Sequence, residues 1–146
     1  MTRPWPAGCP AFAPCVPIRD ESDLVVARRR ARELGSQQGL SEAQAAALAT
    51  AVTEIARNII DHAGSGEMHF APAGEMSRRG VLVTACDSGC GIRNIDQAML
   101  DGFSTRGSLG FGLPGARRLV DEFLIESTAD GGTTVTLCKW ASAGSR

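Results

Sequence analysis

The chain has 146 residues, 43% of them hydrophobic, and a formal net charge of −1; that length suits one domain with its own core, and the composition excludes global disorder. Near-neutral charge excludes the electrostatic footprint of a nucleic-acid or anionic-membrane binder, and no apolar run approaches the about 20 residues that span a bilayer. Lys139 is the only lysine and tyrosine is absent, which excludes a P-loop or eukaryotic-type kinase mechanism with its phosphate-binding lysine, and any tyrosine autophosphorylation.

Residues 1–15 contain Pro4, Pro6, Pro10 and Pro14 and are expected to form a flexible tail, because proline joins neither a ladder nor a helix interior. The same prolines interrupt any signal-peptide core. The five cysteines, Cys9, Cys15, Cys86, Cys90 and Cys138, are odd in number and irregular in spacing, so no disulfide framework is expected and the setting is read as cytoplasmic. Val16 to Arg19 reads as a short strand. Asp20 or Ser22 can cap a helix running to about Gln38, with Leu24, Val25, Ala27, Ala31 and Leu34 as its apolar positions and Gly39 as its stop. Ser41-Glu42-Ala43-Gln44 is a capping-box pattern that opens a second helix to about Ala63. Leu48, Val52, Ile55, Ile59 and Ile60 form its buried stripe, and Gly64 ends it.

Glu67 to Ala71 alternates as a strand does, residues 72–79 read as a turn, and Val81 to Cys86 forms a buried strand. Asp87 to Gly91 is a loop by its glycines, Ile95 to Leu100 suits a short helix, and Phe103 to Gly112 is a Gly/Ser-rich mobile segment. A third helix begins near Leu113, with Pro114 in its first turn, and ends near Glu122. Phe123 to Ser127 and Thr133 to Lys139 form a hairpin around Asp130-Gly131-Gly132. The sum is an α/β two-layer sandwich: a mixed, mainly antiparallel sheet with helices on one face, over residues 16–140, followed by a flexible C-terminus at 141–146.

Four stretches carry chemistry. Glu54 and Asn58 stand four apart and share one helix face. A carboxamide oxygen there can bind Mg²⁺, which takes few protein ligands and keeps water and phosphate oxygens; the carboxylate can accept a proton from an attacking hydroxyl. Asp87-Ser88-Gly89-Cys90-Gly91 follows a buried strand, where an ionised Asp accepts hydrogen bonds only and can receive the exocyclic amine of adenine. Gly102 to Leu113 is a glycine-rich flap leading into a helix N-terminus, whose free N–H groups attract phosphate. Gly132-Thr133 opens the last strand, where the hydroxyl can join a water-mediated contact to the base. Gly110 to Gly115 also fits a dinucleotide fingerprint, but no strand precedes it. No second pair accompanies Cys86 and Cys90, so Cys86 is read as a buried small apolar residue.

Taken together, Glu54…Asn58, Asp87-x-Gly89-x-Gly91, Gly107-x-x-Gly110-x-Gly112-Leu113 and Gly132-Thr133 resemble the N, G1, G2 and G3 boxes of the GHKL ATPase/kinase superfamily, whose fold is the Bergerat fold, over about residues 41–140. Asp101 to Leu119, Gly132 to Thr136 and Lys139-Trp140 give the narrower resemblance, to anti-sigma-factor serine/threonine kinases of the RsbT-like switch type. The resemblance implies a kinase that transfers phosphoryl from ATP, with Mg²⁺, to a serine or threonine of a STAS-domain antagonist. It then exchanges partners to act on a phosphatase or sigma-factor pathway; a homodimer is conceivable, and neither nucleic acid nor membrane is expected. It further implies Glu54 as general base, Asn58 as Mg²⁺ ligand and Asp87 as reader of adenine. Gly89, Gly91 and Ile92 would shape the base pocket. Gly107, Ser108, Leu109, Gly110, Phe111, Gly112 and Leu113 would cradle the phosphates, and Thr133 would support the base. Cys90 and Phe111 depart from the family pattern. Extra positive charge at the γ-phosphate has to come from arginine, with Arg106 of the flap one candidate and Arg28 or another residue of the first helix, acting across a dimer, the other. The alternative within the same resemblance is a non-catalytic nucleotide-binding docking module or a direct anti-sigma factor.

Overall fold

The computed structural model describes residues 15–75, 77–87, 112–128 and 132–142. Residues 1–14 of the expected tail, the helix expected at Ile95 to Leu100, the Gly/Ser-rich stretch from Phe103 to Phe111, Asp130-Gly131 of the expected hairpin turn and residues 143–146 lie outside them, while Cys15, assigned to the tail, begins a strand.

Strand β1 (Cys15–Ile18) leads to helix α1 (Glu21–Gln37). Of the two capping candidates Asp20 is the cap: its extended backbone sets its carboxylate where Oδ1 accepts from the N–H of Ser22 at 3.0 Å. Asp23, one turn on, accepts from the backbone N–H of Arg19 at 2.9 Å and from its Nε at 3.1 Å. Leu24, Ala27, Ala31 and Leu34 are buried as the spacing predicts, whereas Val25 points to water. Val25 lies about 100° round the helix from Leu24, on the side away from Ala27, Ala31 and Leu34, and so falls off the buried stripe.

Helix α2 (Glu42–Ala63) opens on the complete capping box. Ser41 Oγ accepts from Gln44 N at 3.1 Å, and Gln44 Oε1 accepts from Ser41 N at 3.0 Å. An N-cap of this kind is worth about 1 kcal/mol. Gln44 does more, since its Nε2 donates to Trp140 O at 3.2 Å and to Ser142 Oγ at 2.7 Å. At the other end Gly64 adopts φ +86 and its N–H returns to Ile59 O at 3.0 Å.

Strands β2 (Gly66–Glu75), β3 (Arg78–Asp87), β4 (Glu122–Thr128) and β5 (Gly132–Trp140) complete a sheet in the order β1-β2-β3-β5-β4. Every pairing in it is antiparallel. The expected turn at 72–79 is mostly strand: Pro72 pairs with Val81 and Glu75 with Arg78. Among the described residues β1 accompanies β2 only up to His69, so Pro72 lies on an edge, where proline is tolerated. Met68 and Phe70 of β2, Val81, Val83 and Ala85 of β3, and Val135 and Leu137 of β5 join Leu48, Val52 and Ile55 of α2 in one core. Each of the larger of these side chains contributes about 1.5–3 kcal/mol on burial. The opposite sheet face carries a smaller cluster of Ala73, Cys138 and Trp140 with Leu82 and Leu124 against it.

Helix α3 (Gly112–Arg118) packs on α2 through buried Leu113 and Ala116. It stops short of the expected Glu122. The N–H of Asp121 donates to Cys138 O at 3.0 Å, and its Oδ2 accepts from Trp140 N at 2.7 Å, so β5 captures the chain into β4 at that point. No helix among the described residues is long and apolar enough to cross a membrane.

Candidate functional site

The second helix presents Glu54 and Asn58 half-buried, one turn apart, on a helix whose inner face is Val52, Ile55, Ala56 and Ile59. Neither polar group takes a hydrogen bond or ion pair among the described residues. Both are thus available, at the margin of a helix held in place by its apolar side. Thr53, beside Glu54, is turned back on the helix, its Oγ1 donating to Ala49 O at 2.8 Å. Helix α3 lies along the same helix, so the glycine-bearing approach to α3 begins, at Gly112, next to α2.

Asp87 ends β3, half-buried, with the start of β5 beside it. Its Oδ1 accepts the backbone N–H of buried Thr133 at 3.2 Å. The neighbour that permits this is Gly132, at φ +78; a β-carbon there would stand 2.1 Å from Asp87 O and 3.1 Å from its Oδ1. Only glycine satisfies both the left-handed backbone and the close approach. Gly66, which pairs with Asp87, closes the other side. A β-carbon on Gly66 would meet Ile59 Cγ2 at 2.9 Å and Asp87 Cβ at 3.2 Å. Ile59 directly follows Asn58, so the C-terminal half of α2, the end of β3 and the start of β5 converge at one end of the sandwich.

Glu54, Asn58, Asp87, Gly112, Leu113 and Thr133 are therefore placed, with Leu113 buried against α2 rather than open to a ligand. Gly89, Gly91, Ile92, Gly107, Ser108, Leu109, Gly110 and Phe111 lie outside the described residues, as does Arg106. Arg28 sits on the exposed face of α1. Gly66 went unnoticed in the sequence; its signal was a glycine at the first position of a strand that must pass close to a helix. Among the described residues no three His, Cys, Asp or Glu side chains gather where a metal ion could sit. A lone carboxamide oxygen at Asn58 beside Glu54 suits a cation whose remaining ligands are phosphate and water, and would not suit an all-protein cage.

The cysteines require one correction. Cys86, next to Asp87, is buried and disulfide-bonded, whereas Cys15 and Cys138 are free. The residue is more than the small apolar filler its strand position suggests.

Comparison with known proteins adds a direct likeness. The model of the histidine kinase-like ATPase domain matches residues 17–139. The serine/threonine-protein kinase RsbT of Bacillus subtilis (strain 168) is 41% identical over 126 residues, which cover 86% of this chain and 95% of that protein.

Proposed function

The chain belongs to the histidine kinase-like ATPase domain family, and from that premise we propose that it is an RsbT-like protein serine/threonine kinase whose substrate is a STAS-domain antagonist in a partner-switching pathway. The likeness to RsbT over nearly the whole of that protein supports the kinase activity. The observation that carries the reading within this chain is the convergence of three elements on one end of the fold. Asp87 is held by Thr133 there, and Glu54 and Asn58 stand on the adjoining helix without internal partners among the described residues. The kinase domain is taken as residues 16–140, with 1–15 and 141–146 as flanking segments.

In this reading Asp87 fixes the adenine end. The N–H of Thr133 occupies one side of the carboxylate and orients it, so that the acceptor character of the group is directed at the exocyclic amine of the base. Gly132 and Gly66 keep the surrounding backbone thin enough for a flat ring to approach. The amides leading into α3, with Gly107 to Leu113, receive the phosphate oxygens. Asn58 would hold Mg²⁺ through its side-chain oxygen, and the ion supplies charge neutralisation on the phosphates when bound.

Glu54 stands one turn before Asn58 on the same face. A serine or threonine hydroxyl of a partner reaching that turn meets the carboxylate, which takes its proton as the oxygen attacks the γ-phosphorus. The bond from the γ-phosphorus to the bridging oxygen breaks, and ADP departs with the electron pair. Positioning and charge do most of this work, and covalent help from the protein is not required. Half-burial suits Glu54 to the proton-accepting role, since the carboxylate is open to a macromolecular hydroxyl yet rests on a rigid helix.

The test is transfer of labelled phosphate from ATP, with Mg²⁺, to purified STAS-domain proteins encoded beside this chain. Stable phosphoserine or phosphothreonine on one of them is the expected product. Failure of folded protein to bind ATP or ADP by calorimetry, or binding with no transfer to any such protein, would overturn the proposal.

A further inference from the structure

Side chains alternate between the two faces of a strand, and the register sorts this sheet into an inner and an outer face. Val81, Val83 and Ala85 of β3 and Val135 and Leu137 of β5 lie on the inner face, where buried residues of all three helices join them. The intervening positions make the outer face: Leu82 pairs with Ala71 and Cys138, and Thr84 with His69 and Thr136. The apolar cluster on that face contains no helical residue. An antiparallel sheet packed on one side only leaves its other side in water. Here the outer face is covered: Thr84 is 4% exposed, Thr136 2% and Cys138 0%.

That burial is complete within a single chain, so the cover has to come from this chain, and no described helix supplies it. Residues 88–111 leave from Asp87 and return at Gly112, both at the nucleotide-binding end. Gln44 of α2 holds Ser142, which starts residues 143–146 on the helix side. Residues 1–14 join β1 at Cys15, whose partner His69 belongs to the outer face. Because β1 runs antiparallel to β2, the chain ahead of Cys15 arrives from the side of Ala71 and Ala73, where the outer apolar cluster lies.

Reach and composition fit the same segment. At about 3.1 Å per residue a polyproline helix of this length extends about 43 Å, more than twice the about 19 Å across five strands. Trp5 and Phe12 offer aromatic surface, Ala7, Ala11 and Ala13 lie flat, and Arg3 is the sole charged side chain. Pro4, Pro6, Pro10 and Pro14 lack the N–H that a segment laid on a sheet face would leave unpaired, and their stiffness lowers the entropy lost on docking. The match to the family model begins only at residue 17, so the segment stands outside the domain it would cover.

We propose that residues 1–14 form a second layer over the outer face of the sheet, with Phe12 seated against the cluster of Leu82, Leu124 and Cys138. Phe12 stands three residues ahead of Cys15, about 10 Å of extended chain, and two strand spacings from β1 reach Leu82 on β3. The expected tail thus serves as part of the core. The proposal does not draw on the kinase reading, and it concerns the sheet face remote from α2.

The experiment uses the full chain with Phe12 replaced by the photo-crosslinker p-benzoyl-L-phenylalanine. Irradiation followed by peptide mapping is expected to join position 12 to the outer face of β3, β4 or β5 within one chain. In parallel, alkylation of Cys138 by iodoacetamide is timed in the wild type, in Trp5→Ser/Phe12→Ser and in Trp5→Leu/Phe12→Leu. The serine pair is expected to speed labelling by about tenfold or more, the leucine pair to keep most of the protection, and ATP affinity to stay the same in all three. Circular dichroism is recorded first, and Phe12→Ser alone replaces the serine pair if that variant does not fold. A crosslink between two chains would overturn the proposal and make a second copy the cover. Crosslinks to the helices alone, no crosslink, or Cys138 labelling unchanged in a folded serine variant would each overturn it as well.

Discussion

The backbone N–H of Thr133 donates to Asp87 Oδ1 at 3.2 Å, joining the start of β5 to the last residue of β3. The contact exists because Gly132, at φ +78, lets the two backbones pass without a β-carbon between them. Gly132→Ala must therefore strain the backbone and push Asp87 aside. A left-handed non-glycine residue costs roughly 1–3 kcal/mol, and the clash adds to that. We expect a lower thermal midpoint and weaker adenine-nucleotide binding, read by calorimetry; an unchanged nucleotide affinity in a folded Gly132→Ala chain would separate Asp87 from the base.

Glu54 and Asn58 share a face but are assigned different steps, so their variants should differ in kind. Glu54→Ala is expected to keep nucleotide binding and lose phosphotransfer by about 10²-fold or more, the usual range for a general base. Asn58→Ala is expected to lose the part of nucleotide affinity that depends on magnesium. Titrations of ATP with and without the metal, beside single-turnover transfer, distinguish the two. Undiminished transfer by Glu54→Ala would remove it from the proton-accepting role.

Asp23 supplies a pH signature. The Arg19 guanidinium and backbone N–H hold its carboxyl below the ordinary value of 3.8. A carboxylate depressed in the folded state contributes stability above its unfolded value and loses that contribution as pH falls through the folded one. Asp23→Asn should thus melt at lower temperature than the wild type near neutral pH. The two curves should converge on acidification from about pH 5 to about pH 2. A gap that persists at the acid end would mean that the side chain acts through packing and not through its charge.

Cys138 offers a chemical probe of the sheet. Burial, reinforced by the carboxylates of Glu122 and Asp121, pushes its thiol up to about 12. At pH values near 8 it is therefore protonated and shielded, and attack on a thiol reagent needs the thiolate. Peptide mapping after brief alkylation should find Cys138 unmodified in the native chain and fully modified in urea, with exposed Cys15 modified in both. Rapid native labelling of Cys138 would show that this face of the sheet opens readily.

Much of the frame was legible because local and tertiary preferences agree. Ser41 and Gln44 sit in a box whose reciprocal hydrogen bonds need no distant partner, and α2 starts where that box says. Val25 does not belong to the apolar stripe it was assigned to: the helical period sets Leu24 with Ala27, Ala31 and Leu34, and Val25 with the exposed Arg28, Arg29 and Arg32. Pro72 and Gly74 carry the composition of a turn, yet they extend a hairpin whose edge is open to them. At the site, the pairing of Glu54 with Asn58 followed from helical spacing alone. The approach of Gly132 to Asp87 did not, because it joins residues 45 positions apart in sequence (87 to 132), and only the register of β3 on β5 brings them together. The disulfide-bonded state of Cys86 was equally invisible, since spacing does not determine pairing.

Gln44 clasps the carbonyl of Trp140 and the hydroxyl of Ser142 at the far end of α2 from Asn58. From Gln44 to Glu54 the helix advances about 15 Å, and β5 runs back about 23 Å from Trp140 to Thr133. The two elements are consequently pinned at one end like the covers of a book at the spine. Any widening between them is smallest at the clasp and largest where Glu54 and Thr133 stand. A rigid tag fused immediately after Ser142 would load that spine and be felt first as a change in how far the pages part.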